Sequence, residues 1–301
     1  MMSAMSWVPT ARITSTMAPA AATGVQVGAA IVATRFVIDQ TDPVTLAFLR
    51  YLIGFCLLLL PAWRSARGSF NAHDLLPIAG LGIAQFGILI VLMNYGLQFI
   101  PSARAALIFA YVPLLTMTLA AMIGHERMTL LKTIGVLLTI AGVGFALGEK
   151  ALHHGEMTAG WIGELSVLAS ALCAALCSVF YRPYLSRYPT LQVSAFVMFA
   201  SVVFLALVAV LKGHFLMVFA FTTSGWLAVF FIGGSSAIGY YLWLWALGHS
   251  SPTRVTVFLS LGPITSAALG ALLLAEPISA LFVIGLICVI LGLCLAYCRE
   301  G

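Results

Sequence analysis

The stretch Tyr95–Pro113, YGLQFIPSARAALIFAYVP, returns in outline 150 positions later as Trp245–Pro263, WALGHSSPTRVTVFLSLGP. Within and beyond it, Arg104, Pro113, Glu126, Gly135 and Gly142 recur as Arg254, Pro263, Glu276, Gly285 and Gly292, at one offset and without a gap. Five chemically distinctive residues at a single spacing mark an internal duplication. In a strongly apolar chain, such a duplication points to secondary transporters, whose halves rock around a shared central site. It divides the 301 residues into two repeats, 1–150 and 151–301.

Composition excludes a water-soluble globule. The chain is 62% hydrophobic and 8% charged, whereas soluble domains carry about 25% charged residues. Its apolar runs reach the roughly 20 residues that cross a bilayer. Ten spans are expected: Met17–Ile38, Val44–Ala62, Asp74–Leu97, Ser102–Ile123, Thr129–Gly148, Trp161–Tyr181, Thr190–Leu211, Gly225–Leu247, Thr253–Ala275 and Pro277–Tyr297. The connections hold the breakers, and EKALHHGEMTAG at 149–160 is the link between halves. Arg12 before an Ala-rich stretch imitates a secretory leader, but cleavage would leave four spans opposite five, so the first span is read as retained. The net charge of +5 is scattered over loops. Nucleic-acid binding needs a concentrated basic face, so no nucleic-acid partner is expected.

Lys and Arg in short loops orient the spans. With the N-terminus inside, Arg12, Arg64, Arg67, Arg127, Lys132, Arg182, Arg187, Arg254 and Arg299 are cytoplasmic, against Arg35, Arg104, Lys150 and Lys212 outside. Both termini are then cytoplasmic. Five spans per repeat is an odd number, so the second half enters the membrane inverted. The expected fold is all-α integral membrane: ten transmembrane helices as two inverted five-helix repeats around a central cavity.

The chain resembles the EamA-type members of the drug/metabolite transporter superfamily. The resemblance covers all ten spans and rests on DPVTLAFLRY at 42–51, on SARAAL…VP…GHER…G…G, and on SPTRV…GP…AEP…G…G. Among those members it is similar to exporters of amino acids and related metabolites. The resemblance implies a basket of spans one to four and six to nine around a cavity, braced by the fifth and tenth, in a bacterial inner membrane. Members often carry a Trp before the Gly of the first span and another in mid-sixth span; here those positions are Val27 and Ala174. Two missing rings enlarge the cavity, which suits an aromatic or otherwise bulky apolar substrate.

The candidate substrate-binding residues are polar or aromatic groups within spans. Gln85 is in mid-third span, with Ser235 as its repeat mate; lipid cannot satisfy such groups, so they face the bundle as cavity lining or interhelical glue. Asn94 and Tyr95 close the third span. Tyr240 and Trp243 share a helical face deep in the eighth. Tyr111, one turn before Pro113, carries a hydroxyl that needs a partner. Pro113 and Pro263 each free a carbonyl and bend their helix, giving candidate hinges or gates. Arg50 reads either as a clamp for a substrate carboxylate or as a snorkelling or structurally paired arginine. Because EamA-like sequences share this Arg across substrates, the structural reading is preferred. Glu126 and Glu276 are expected to cap the helices that follow them.

Other chemistries find little support. Cys173/Cys177 and Cys294/Cys298 lack a neighbouring His or carboxylate in sequence, so neither metal nor cofactor is expected, and His153/His154 are read as solvated. No GxxxxGK[ST] motif occurs, which excludes ATP-driven pumping by this chain. No catalytic constellation lies within the spans, so an enzyme is not expected. The reading is a secondary carrier that exports amino acids or related metabolites. An uptake carrier or a channel for another small solute is the alternative. The expected partners are a small-molecule substrate and the lipid bilayer, and a monomer suffices. Glu164 is the only acid clearly within a span, so facilitated movement is expected rather than proton coupling.

Overall fold

The computed structural model describes residues 10–64, 70–124, 130–152, 159–211 and 221–297. Glu126, His153, His154, Arg67, Arg127, Lys212 and Arg299 lie outside the described residues. Within them the chain is helical and no strand occurs.

The first two spans are α1 (Thr10–Val37) and α2 (Pro43–Arg64), joined through a 3-10 turn at Ile38–Gln40. The third is composite: α3 (Ala72–Gly82), a π-helical turn at Ile83–Ile88, and α4 (Leu89–Gly96). The fourth is α5 (Ser102–Phe109) and α6 (Val112–Met122), followed by α7 (Leu130–Leu152). The second half runs α8 (Ala159–Phe180), the short α9 (Arg182–Leu185), α10 (Thr190–Leu211) and α11 (Thr223–His249). Its last spans are α12 (Pro252–Val257), a 3-10 turn at Phe258–Ser260, α13 (Leu261–Leu274) and α14 (Ala280–Tyr297).

Eight helical segments among the described residues are long and apolar enough to cross a bilayer. α7 and α14 contain shorter apolar runs, Thr133–Gly142 and Ala280–Leu295. The outer surface carries bare apolar side chains such as Leu76, Leu272 and Trp63, each more than three-quarters exposed. A surface of that kind is stable against lipid and not against water. The protein is integral to the membrane.

The helical segments α5–α6 and α12–α13 break at matching places. Pro113 has no N–H to return to Phe109, so the helix tightens at Ala110–Tyr111, where Tyr111 N bonds Ile108 O at 3.0 Å. Pro263 follows the 3-10 turn at Phe258–Ser260 in the same way.

Helix ends are closed by local caps in several cases. Thr222 Oγ1 accepts from Gly225 N at 3.0 Å, and Asn71 Oδ1 accepts from His73 N at 3.2 Å. α5 starts at Pro101, which has no side-chain oxygen, and its cap comes from the other half. Glu276 accepts from Ser102 N at 2.9 Å and from Ser102 Oγ at 2.6 Å. This corrects the expectation that Glu276 caps the helix following it. The cause is a left-handed turn at Ala275 (φ 52), closed by Glu276 N to Gly270 O at 3.1 Å. That turn delivers the carboxylate to the positive end of α5.

The packing is mostly between halves. α1 packs on α11 and α13, while α8 packs on α4 and α6. α2 meets α10, α5 meets α13, and α7 meets α14. Replacing each helix by its mate in the other half, 150 positions away, maps these contacts onto one another. At the α7–α14 crossing the two backbones approach closely. A Cβ built on Gly142 would lie 2.6 Å from Gly285 O, and one built on Gly292 would lie 2.5 Å from Gly135 O. Each glycine meets the repeat mate of the other's partner, so the two helices run antiparallel with their backbones in contact.

Candidate functional site

The spans other than α7, α10 and α14 converge on a central cavity with an empty space of about 560 Å³, its open mouth included. One wall is α1, through Thr23, Val27, Ile31 and Thr34. Facing it are Arg50 of α2, Gln85 of the π turn, and Leu89 and Met93 of α4. Phe109, Ala174, Tyr240, Trp243 and Leu259 complete it from α5, α8, α11 and the turn before α13. Val27 and Ala174 therefore stand on the wall, where a large ring in place of either would fill the space.

Three sequence candidates, Gln85, Tyr240 and Trp243, meet at this cavity. They are anchored by an aromatic cluster: Tyr51–Phe86 at 5.0 Å and Phe86–Tyr240 at 4.4 Å between ring centroids, both edge-on. Tyr51 and Tyr240 also share a hydroxyl hydrogen bond of 3.3 Å. Gln85 is 6% exposed and its Oε1 has no hydrogen-bond partner among the described residues. The π turn that carries it adds a residue to one helical turn and re-aims the side chains there.

The other candidates lie elsewhere, each for a visible reason. Asn94 is buried and donates its amide to Pro43 O at 3.0 Å, tying the start of α2 to the end of α4. Tyr95, its neighbour, points the other way, is 39% exposed, and stacks edge-on with Phe99 at 5.1 Å. Tyr111 follows the break in the fourth span, which turns its hydroxyl out to Ile140 O of α7 at 3.4 Å. Ser235 accepts from Gln26 Nε2 of α1 at 3.2 Å, a strut between helices.

Arg50 is the cavity residue that the sequence reading set aside. It is 6% exposed, its Nε donates to Ser236 Oγ at 2.7 Å, and its guanidinium carbon is 5.5 Å from the Tyr51 ring centroid. No acidic side chain among the described residues meets it. Its lack of a basic mate in the second repeat was the available signal.

Toward the end of the bundle that bears the Glu276 cap, Arg104 Nη1 lies 3.6 Å from Glu164 Oε1, with Glu164 buried. At the other end, Tyr188 donates to Asp74 Oδ2 at 2.7 Å, and this raises the phenol's pKa above its ordinary range. The Cys173 thiol donates to Ala84 O at 3.2 Å, satisfying a carbonyl of the π region. No cluster of three or more His, Cys, Asp or Glu able to hold a metal occurs among the described residues.

Residues 15–148 and 161–298 each match the EamA-like transporter family. The chain belongs to that family. Two EamA-like copies thus cover the two halves that the duplicated sequence delimits, and the family and its named relatives are transporters. One is an uncharacterized transporter of Archaeoglobus fulgidus, 27% identical over 88% of this chain and 92% of that protein. Another is a probable terminal-alkyne amino-acid exporter of Streptantibioticus cattleyicolor, 30% identical over 71% of this chain and 70% of that protein. A crystal structure of a protein 21% identical covers 96% of this EamA-like chain and 98% of its own, with a TM-score of 0.73. At that identity the likeness is one of fold.

Proposed function

We propose that this EamA-like transporter exports amino acids, preferentially aromatic or other bulky apolar ones, by alternating access of two inverted five-span halves, residues 1–150 and 151–301. The observation that carries the reading is the central cavity: an apolar wall that includes the small side chains of Val27 and Ala174, beside a small polar group of Arg50 and Gln85. Small-molecule sites are built that way, with apolar lining and a few placed polar groups. The name of the Streptantibioticus cattleyicolor relative supports amino-acid export.

Inversion is supported by the antiparallel Gly135–Gly292 and Gly142–Gly285 contacts and by the excess of Lys and Arg on one side. Both termini are then cytoplasmic, the membrane is a bacterial inner membrane, and α7 and α14 are the fifth and tenth spans. Gln85, Tyr240 and Trp243 contact substrate; Asn94, Tyr95, Tyr111 and Ser235 hold the frame. The breaks before Pro113 and Pro263 are the hinges at which the two ends open in turn. Movement follows the substrate's own gradient, and a monomer is sufficient.

Proteoliposome counterflow with a panel of labelled amino acids tests the reading. Exchange of phenylalanine, leucine or a comparable amino acid is expected. Failure with every amino acid, together with exchange of another solute class, overturns the substrate assignment.

A further inference from the structure

We infer that Arg50 and Gln85 form a two-pronged recognition site for the backbone end of an α-amino acid, Arg50 holding the carboxylate and the Gln85 amide oxygen the ammonium. The inference deepens the amino-acid reading above and rests on it.

Three observations lead there. First, Arg50 is a buried cation facing a cavity whose lining, among the described residues, contains no acidic residue. A guanidinium has five N–H donors, and among the described residues only Nε is committed, to Ser236 Oγ at 2.7 Å. A buried charge left uncompensated is costly in a membrane interior, so such a group marks a counter-ion from elsewhere. The unspent pair of Nη groups forms a fork that matches a carboxylate.

Second, Gln85 is equally buried, and its Oε1 accepts nothing from the protein among the described residues. A buried acceptor without a donor is an empty half of a hydrogen bond. It is neutral, which suits an ammonium that must also leave again.

Third, the two side chains line the same cavity. Tyr51 and Phe86, next to Arg50 and Gln85 in sequence, are in ring contact at 5.0 Å. Ser236, which braces Arg50 from α11, stands one turn before Tyr240, itself a residue of the cavity wall. An amino acid held by its backbone at this corner directs its side chain toward Val27, Ile31, Ala174 and Leu259, the apolar remainder of the cavity.

The test is competition in counterflow, with L-phenylalanine and L-leucine as labelled substrates. The competitors are their amides, which lack the carboxylate, and 3-phenylpropanoate and 4-methylpentanoate, which lack the ammonium. In the wild type, either deletion is expected to weaken competition at least about tenfold, the scale of a lost charge-assisted bond. Arg50→Gln is expected to abolish the preference for the acid over the amide, with Arg50→Lys retaining part of it. Gln85→Leu is expected to abolish the preference over the des-amino acids while keeping that over the amides. A wild type that accepts the amides as readily as the parent acids overturns the inference, and this outcome needs no variant to fold. So does an Arg50→Gln protein with undiminished preference. A wild type that ignores amino acids but takes the des-amino carboxylates overturns the amino-acid reading and the Gln85 role while leaving the Arg50 clamp. One that takes neither overturns both.

Discussion

Replacing Glu276 by alanine removes the cap of a helix that begins 174 residues earlier in the chain. The carboxylate accepts from Ser102 N at 2.9 Å, from Ser102 Oγ at 2.6 Å and, more weakly, from Ala103 N at 3.4 Å. Hydrogen bonds to a charged acceptor contribute about 1.5–3 kcal/mol each, and loss of a helix cap costs about 1 kcal/mol. The site is only partly buried, so solvent recovers a share of this. Glu276→Ala is then expected to cost about 2–3 kcal/mol, and Ser102→Ala about 1–1.5 kcal/mol. Because both remove the Ser102 Oγ bond, the double variant is less damaged than the sum, with a coupling of about 1 kcal/mol. The assay is unfolding of the detergent-purified protein, followed by tryptophan fluorescence, for all four members of the cycle. Glu276→Gln keeps one acceptor and loses the charge, so it should fall between wild type and alanine. Additivity within about 0.3 kcal/mol would refute the cap, since independent sites add that closely.

Other expectations follow from the same geometry. Gly142→Ala and Gly292→Ala are expected to cost about 1–3 kcal/mol by forcing α7 and α14 apart. Gly144→Ala, with nothing within 4 Å of a built Cβ, should leave stability unchanged in the same unfolding assay. Val27→Trp and Ala174→Trp are expected to cut exchange of bulky amino acids at least about tenfold, with the protein still inserted and folded, because they fill the cavity that the substrate needs. A pH gradient across liposomes with equal substrate on both sides is expected to give no net accumulation. Glu164→Gln is expected to act through the loss of its pairing with Arg104, lowering stability by about 1–3 kcal/mol. Accumulation that collapses with a protonophore and is absent in Glu164→Gln would instead identify a coupled carrier.

Eight of the spans, their order and the duplication were legible because they depend on composition and spacing, which bilayer thickness and helix geometry translate directly. Broken fourth and ninth spans were also readable, since a proline removes one known hydrogen bond. The cavity was readable only in part. Gln85, Tyr240 and Trp243 follow from depth and helical face, whereas Val27 and Ala174 come from the resemblance to EamA-type members. Arg50 does not, because whether a buried arginine is paired depends on which helix lies opposite, and that is a tertiary fact. Tyr111 shows the converse: a local break before Pro113 rotates the side chain off the face that regular spacing assigns. Glu276 was legible as a cap but not as the cap of α5, because the left-handed turn at Ala275 has no glycine to announce it.

Alternating access by two related halves depends most on their inversion, and this reduces to a parity. If α7 crosses the membrane, repeat-equivalent positions face opposite sides; if it does not, four spans precede the second half and they face the same side. Phe99 and His249 are such a pair, 150 positions apart, and both are exposed. Single cysteines at these positions, in a variant with the native cysteines replaced, can be reacted with a membrane-impermeant maleimide in intact cells. Labelling of position 99 from outside, and of position 249 only after permeabilisation, is the predicted result. Labelling of both from the same side would contradict the inverted repeat and, with it, the carrier built on it.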